Sequence, residues 1–266
     1  MQELDEKSRI LLAFCREQLH HTARRPLVVG LQAPQGAGKT TLVQRVLKDL
    51  PEHGLRGAAV SVDDFYLTRT EQIALAERHP GNPYLEHRGY PGTHDIALGD
   101  TTLRALRDLD DERQPLLVPV YDKSAHGGRG DRAPIAAWRT VRGPLDLVIV
   151  EGWMLGFSPV DASQVSDSFL VAPNRALAGY DSWYRMIDVF VILRALDWRY
   201  VLSWRVEAEE KMKAAGKPGL SREAIEDYVR RFLPAYDLYA GHVDRWPASR
   251  TLTLTLDINR RLVPAT

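Results

Sequence analysis

The apolar positions of this chain fall into short unbroken runs separated by amphipathic stretches, a pattern of buried parallel strands alternating with surface helices. The runs are 27 to 31, 57 to 62, 145 to 150 and 186 to 193, and each predicts a strand of one central sheet. Helical spacing occurs in residues 3 to 22 (Leu4, Leu11, Leu12, Cys15, Leu19), in 38 to 50, closed by Pro51, and in 101 to 109, where Leu103, Leu106 and Leu109 share a face. A short helix is expected over 71 to 78 and a charged one over 197 to 215. Lys217-Pro218-Gly219 then turns into a helix that starts at the N-cap Ser221 and is kinked by Pro234. An extended piece at 116 to 120 and an alternating strand at 251 to 256 complete the regular structure. The pattern predicts one domain over residues 1–266: an α/β/α sandwich on a mostly parallel sheet. An N-terminal helix lies within 1–25, Gly- and Pro-rich insertions within 66–135, and a helical region within 197–240.

Composition narrows the classes of function. Lys plus Arg equals Asp plus Glu at 35 each, which argues against a nucleic-acid or anionic-membrane surface built on bulk charge. The single cysteine, Cys15, excludes an internal disulfide, fits a reducing compartment and reads as a core residue of the first helix. With a charged N-terminus and no apolar run of signal or membrane-span length, a cytoplasmic protein is expected.

The first strand runs into Ala33-Pro34-Gln35-Gly36-Ala37-Gly38-Lys39-Thr40-Thr41. A strand, a turn of small residues and a helix opening on Lys-Thr form a phosphate-binding loop over the unit 27–51. Backbone amides surround the phosphates, Lys39 meets the β/γ oxygens, and the Thr40 hydroxyl faces Mg²⁺. Ala33 stands where the common pattern has Gly. A dinucleotide fingerprint is excluded, because Gly36-Ala37-Gly38 is followed by Lys and Thr without a third glycine. Asp63 and Asp64 end the second strand at the same sheet edge, where a carboxylate can accept the proton of an attacking hydroxyl. Either one can instead cap a turn; Asp64 reads as the structural member of the pair. Glu151, closing the buried run Leu147 to Val150, is the second candidate metal ligand beside Thr40.

The glycine-rich stretch 121 to 132 carries Lys123, His126, Arg129 and Arg132, donors suited to a small anionic substrate, and Arg88 and His94 in the preceding loop are candidates for the same site. A solvated loop whose cations offset Asp122 and Asp131 is the plain alternative. Arg205, Lys211 and Lys217 are candidate cations of a lid, with an exposed helix face as the alternative.

Together APQGAGKTT, SVDDFYLT, RGYPGTHD, VPVYDKSAHGGRGDR and VIVEGWMLGF resemble the D-glycerate 3-kinase family, from about residue 26 onward. That family is similar to phosphoribulokinase, uridine kinase and pantothenate kinase. The resemblance implies a P-loop NTPase-like fold and ATP- and Mg²⁺-dependent phosphorylation of a small hydroxy acid. It also implies Asp63 as the base, Tyr66 in the Asp-x-Phe-Tyr stretch, and a substrate-side role for Tyr121, Asp122 and His126. Ala33 is no departure from this family. Two alternatives stay open: a related kinase of a nucleoside, pantothenate-like or sugar-phosphate substrate, and a nucleotide-dependent switch or assembly ATPase. An Asn-Lys-x-Asp guanine signature is absent, which disfavours a GTPase.

Overall fold

The computed structural model describes residues 2–22, 24–214, 216, 221–243 and 245–263. The N-terminal half contains α1 (Gln2–His20), β1 (Leu27–Gln32), α2 (Lys39–Asp49), β2 (Gly57–Ser61), α3 (Arg69–Arg78) and α4 (Ile96–Arg107). Two small antiparallel ribbons follow: β3 (Leu116–Val118) pairs with β6 (Arg139–Val141), and between them β4 (Tyr121–Asp122) pairs with β5 (Asp131–Arg132). The rest comprises β7 (Leu147–Gly152), α5 (Val171–Ala176), α6 (Asp181–Tyr184), β8 (Val189–Ala195), α7 (Tyr200–Ala214), α8 (Arg222–Arg230), α9 (Leu233–Tyr239), β9 (Thr251–Leu256) and β10 (Leu262–Val263).

The central sheet has the order β10-β9-β8-β1-β7-β2, parallel except for β10. Its middle strands β1 and β7 are buried along their whole length, as unbroken apolar runs require, whereas edge strand β2 alternates buried and half-buried positions. Residues alternate between two cores. Leu27, Val29, Leu31, Ile149 and Val191 pack with α1, α2 and Trp204 on one face. Val28, Val148, Val150, Phe190 and Ile192 pack with the aromatics of residues 153 to 184 and with α4, α8 and α9 on the other. Because β2 lies beyond β7 and not beside β1, Ser61 and Leu31 both pair with Glu151. Three chain segments thus converge on one sheet edge. Among the described residues no helix is long and apolar enough to cross a membrane.

Three elements differ from expectation, each for a local reason. The helix expected over 101 to 109 starts at Ile96, because Asp95 caps it by accepting the Leu98 N–H at 2.9 Å. The role of Gly99 within it is steric: a Cβ there would stand 2.2 Å from the buried Trp183 ring. Gly99→Ala is therefore expected to lose about 1–3 kcal/mol in urea unfolding despite the better helix former. Val62 leaves the strand for a 3₁₀ turn, Val62–Phe65, and Pro234 starts α9 in its first turn instead of kinking one long helix. Lys217, Pro218 and Gly219 lie outside the described residues.

Candidate active site

Ala33, fully buried, passes the chain from β1 into the loop, and the Ala37 N–H closes a turn on the Pro34 carbonyl at 3.2 Å. Gly38 caps α2 at φ 90°, a left-handed conformation that a side chain would strain, although a Cβ there would meet nothing within 4 Å. The Gln35 N–H donates to the Tyr236 hydroxyl at 3.0 Å, which ties the loop to α9. Lys39, Thr40 and Thr41 form the first turn of α2. The Thr40 hydroxyl donates to Glu151 Oε1 at 3.1 Å, and Lys39 Nζ lies 3.8 Å from Oε2. Glu151 is only 5% exposed and its Oε2 has no hydrogen-bond partner among the described residues. Burial pushes its carboxyl above the usual range, and Lys39 and Thr40 only partly offset this. A hydroxyl and a buried carboxylate with an unpartnered oxygen are hard donors of the kind that would fit Mg²⁺.

The two aspartates after β2 take different roles. Ser61 and Asp64 form a reciprocal cap: the Ser61 hydroxyl accepts the Asp63 N–H at 3.3 Å, and Asp64 Oδ2 accepts the Ser61 N–H at 3.0 Å. Arg139 Nη2 is 3.3 Å from the same Asp64 oxygen. That turn leaves the Asp63 carboxylate facing the cavity, where Lys123 Nζ donates to its Oδ2 at 2.5 Å. Burial alone would raise the Asp63 carboxyl, but the Lys123 and Lys39 charges and a hydrogen bond from Tyr66 hold it well below the usual carboxylate range.

The cavity in front of Asp63 has a volume of about 380 Å³. Arg88, Lys123, Arg129 and Arg231 border it with His87, and among the described residues Asp63 is its single carboxylate; Tyr66, Tyr84, Tyr90, Tyr228 and Phe232 form the walls. Arg88 is committed to the glycine-rich loop: it donates to the carbonyls of Gly128 (2.9 Å), Arg129 and Lys123 (3.2 Å). Arg129 Nη1 sits 2.7 Å from the His87 ring nitrogens, and burial together with Arg129 lowers the His87 pKa. Arg231 reaches the cavity from the α8–α9 junction, with Nη2 3.4 Å from Asp227 and a buried Nε that lacks a partner.

Five expected substrate residues lie outside the cavity lining. His94 is 5% exposed, stacks on Tyr66 at 4.5 Å, meets the Tyr180 hydroxyl at 2.6 Å and is lowered by burial to about 4, so it is a neutral support of Tyr66 and not a cation. Arg132 pairs with Asp95 at 3.0 Å and donates to the Tyr66 carbonyl. Asp122 accepts the N–H and hydroxyl of Ser124, His126 pairs with Asp131 at 3.2 Å, and the Tyr121 ring packs under Arg88 and against Tyr66. These residues shape the loop that carries Lys123. Of the lid candidates, Arg205 pairs with Glu209 and Lys211 with Glu207 on α7; Lys217 lies outside the described residues.

A solved structure of D-glycerate 3-kinase from Cryptococcus neoformans superposes with a TM-score of 0.89 at 34% identity, and the match covers 97% of each chain. The chain belongs to the D-glycerate 3-kinase family. It is also 43% identical over 248 residues, 90% of its length, to the chloroplastic D-glycerate 3-kinase of Arabidopsis thaliana, and spans 54% of that protein. The uncharacterized kinase mug58 of Schizosaccharomyces pombe is 37% identical over 229 residues, 82% of each chain. No family model matches the chain. The glycines and cations of the 121–132 stretch pointed to that loop, and Tyr66 was expected at the site from the D-glycerate 3-kinase resemblance. His87, Arg231 and the rest of the aromatic wall were missed, since Arg231 sits in a run of charged helix with no motif of its own and enters the site only through the α8–α9 turn.

Proposed function

We propose that this chain transfers the γ-phosphoryl group of ATP to the 3-hydroxyl of D-glycerate. One observation carries the reading: a cavity bordered by four Lys and Arg side chains around a single carboxylate, beside a phosphate loop, suits an acceptor that is an anion bearing a hydroxyl. Asp63 orients that hydroxyl and receives its proton as the oxygen bonds to the γ-phosphorus and the bond to the β-phosphate oxygen breaks, releasing ADP. A carboxylate held at low pKa is a weak base, so orientation matters more than basicity in a loose transition state. Lys39 offsets charge on the β/γ oxygens. Thr40 and Glu151 would hold Mg²⁺, which would supply further charge neutralisation when bound. Lys123, which rests on Asp63, passes to the incoming anion together with Arg231. The thiol of Cys15 is buried and pushed by burial up to about 12, so it takes no part in the chemistry.

Incubation with ATP, Mg²⁺ and D-glycerate should yield 3-phosphoglycerate in the phosphorus NMR spectrum. Turnover of a nucleoside, pantothenate or a sugar phosphate without that product would overturn the glycerate assignment. Arg231→Ala is expected to raise KM for the acid about 10- to 100-fold, as loss of a charge-assisted contact implies, with kcat changed less than about threefold. Steady-state kinetics with varied acid concentration checks it.

A further inference from the structure

Arg260 stands in the turn between β9 and β10 with φ 62°, one of two non-glycine residues with positive φ among the described residues. The turn is otherwise well satisfied: Asp257 Oδ1 accepts the N–H groups of Asn259 and Arg261 at 2.8 Å each, and the Arg260 N–H closes on the Asp257 carbonyl at 2.9 Å. Glycine or asparagine fits such a backbone at less cost, so the arginine side chain offers what the backbone does not. Its Nε donates to the Gly36 carbonyl at 2.8 Å, its Nη1 lies 2.5 Å from Glu207, and its guanidinium covers the Trp204 ring at 5.3 Å. Trp204 is 1% exposed and bonded through Nε1 to the Ile258 carbonyl, and a Cβ on Gly36 would stand 2.6 Å from the Trp204 Cβ. The Gly36–Ala37 peptide plane is therefore fixed on both sides, by Arg260 on its carbonyl and by Pro34 on its N–H. That plane sets the reversal presenting Gly38 and Lys39. Arg260 is held in turn by α1: the buried Lys7 ammonium donates to the Arg260 carbonyl at 2.7 Å.

We propose that Arg260 is a positioning residue of the phosphate loop and that Lys7, acting through it, makes the N-terminal helix part of the nucleotide-binding machinery. The proposal rests on nucleotide binding at the loop and is independent of which acid is phosphorylated. Arg260→Gly keeps the turn, since glycine accepts φ 62° freely, and removes the guanidinium with its contacts to Gly36, Glu207 and Trp204. Calorimetric titration of the full chain with a non-hydrolysable ATP analogue and Mg²⁺, without acceptor, is expected to show Kd about tenfold higher for Arg260→Gly and about threefold higher for Lys7→Met. The double variant should be no weaker than Arg260→Gly, because the two residues act in series. Hydrogen exchange at residues 34–40 should quicken in each variant, and the melting temperature of Arg260→Gly should not fall. Wild-type affinity in Arg260→Gly overturns the proposal. So does additive loss in the double variant, or full loss in Arg260→Gly with Lys7→Met unchanged, which would make Arg260 a direct ligand contact. Absence of analogue binding by the wild type would instead remove the nucleotide reading itself.

Discussion

Asp63→Asn is expected to lower kcat by about 10²–10³ while KM for ATP changes less than about threefold. The substitution keeps volume and one acceptor oxygen, so the hydroxyl can still be bound, but the proton has no carboxylate to reach. Two consequences of the geometry sharpen the test. The Lys123 ammonium, whose 2.5 Å ion pair becomes at most a neutral contact, is freer to hold the anionic acceptor in the ground state, so KM for the acid should stay level or fall. The neighbouring Asp64→Asn acts on the fold instead. It weakens the cap on the Ser61 N–H and the Arg139 contact, and should cost about 1 kcal/mol of stability with kcat within about threefold. Rapid-quench or coupled-assay kinetics together with thermal melts separate the pair. Equal loss of ATP binding and turnover in Asp63→Asn would make that residue structural.

The contrast between these two aspartates illustrates what the sequence carried. The phosphate loop and strands β1 and β7 were legible because their cause is local: small residues at left-handed positions and unbroken apolar runs dictate them within a dozen residues. That Asp63 and Asp64 share an edge with the loop followed from parallel strands. Asp64 reads as the structural member of the pair from the sequence already; what the doublet itself does not express is the Ser61 capping geometry that turns Asp63 toward the cavity. The loop cations were less legible, because a charged side chain's environment is set by partners distant in the chain. His94 is made a neutral core group by burial and bonds to Tyr180, 86 residues away, and Arg132 is claimed by Asp95, 37 residues away. Conversely, Arg231 and His87 gain access to the cavity only when α8 and the 79–95 loop meet. Helices α5 and α6 escaped the periodicity because, at six and four residues, each is shorter than two helical turns and so shows no repeat.

Glu151→Gln should abolish at least 99% of turnover, about 10²-fold or more, while raising the melting temperature of the nucleotide-free protein by about 2–4 °C. The opposite signs follow from one environment. The side chain lies at the end of a buried strand with Oε2 unpartnered, and its carboxyl is pushed upward by burial despite Lys39 at 3.8 Å and Thr40 at 3.1 Å. A carboxyl raised above its unfolded value stabilises the fold only below the unfolded pKa, and that contribution is lost as pH rises through the folded value. At neutral pH the ionised group therefore burdens the fold, and the neutral isostere removes the burden. Lys39 loses an ion-pair partner but keeps more solvent, its side chain being 17% exposed against 7% for Glu151, so the carboxylate's desolvation decides the sign. The same shift predicts the acid limb of kcat/KM. As pH falls, Glu151 protonates before Asp63, whose carboxyl is held low, so activity is lost first through the metal ligand. Raising Mg²⁺ should move that limb to lower pH, whereas a limb set by Asp63 would not respond to the metal. A pH series at two Mg²⁺ concentrations distinguishes the two carboxylates, and a Mg²⁺-independent limb would remove Glu151 from the metal site.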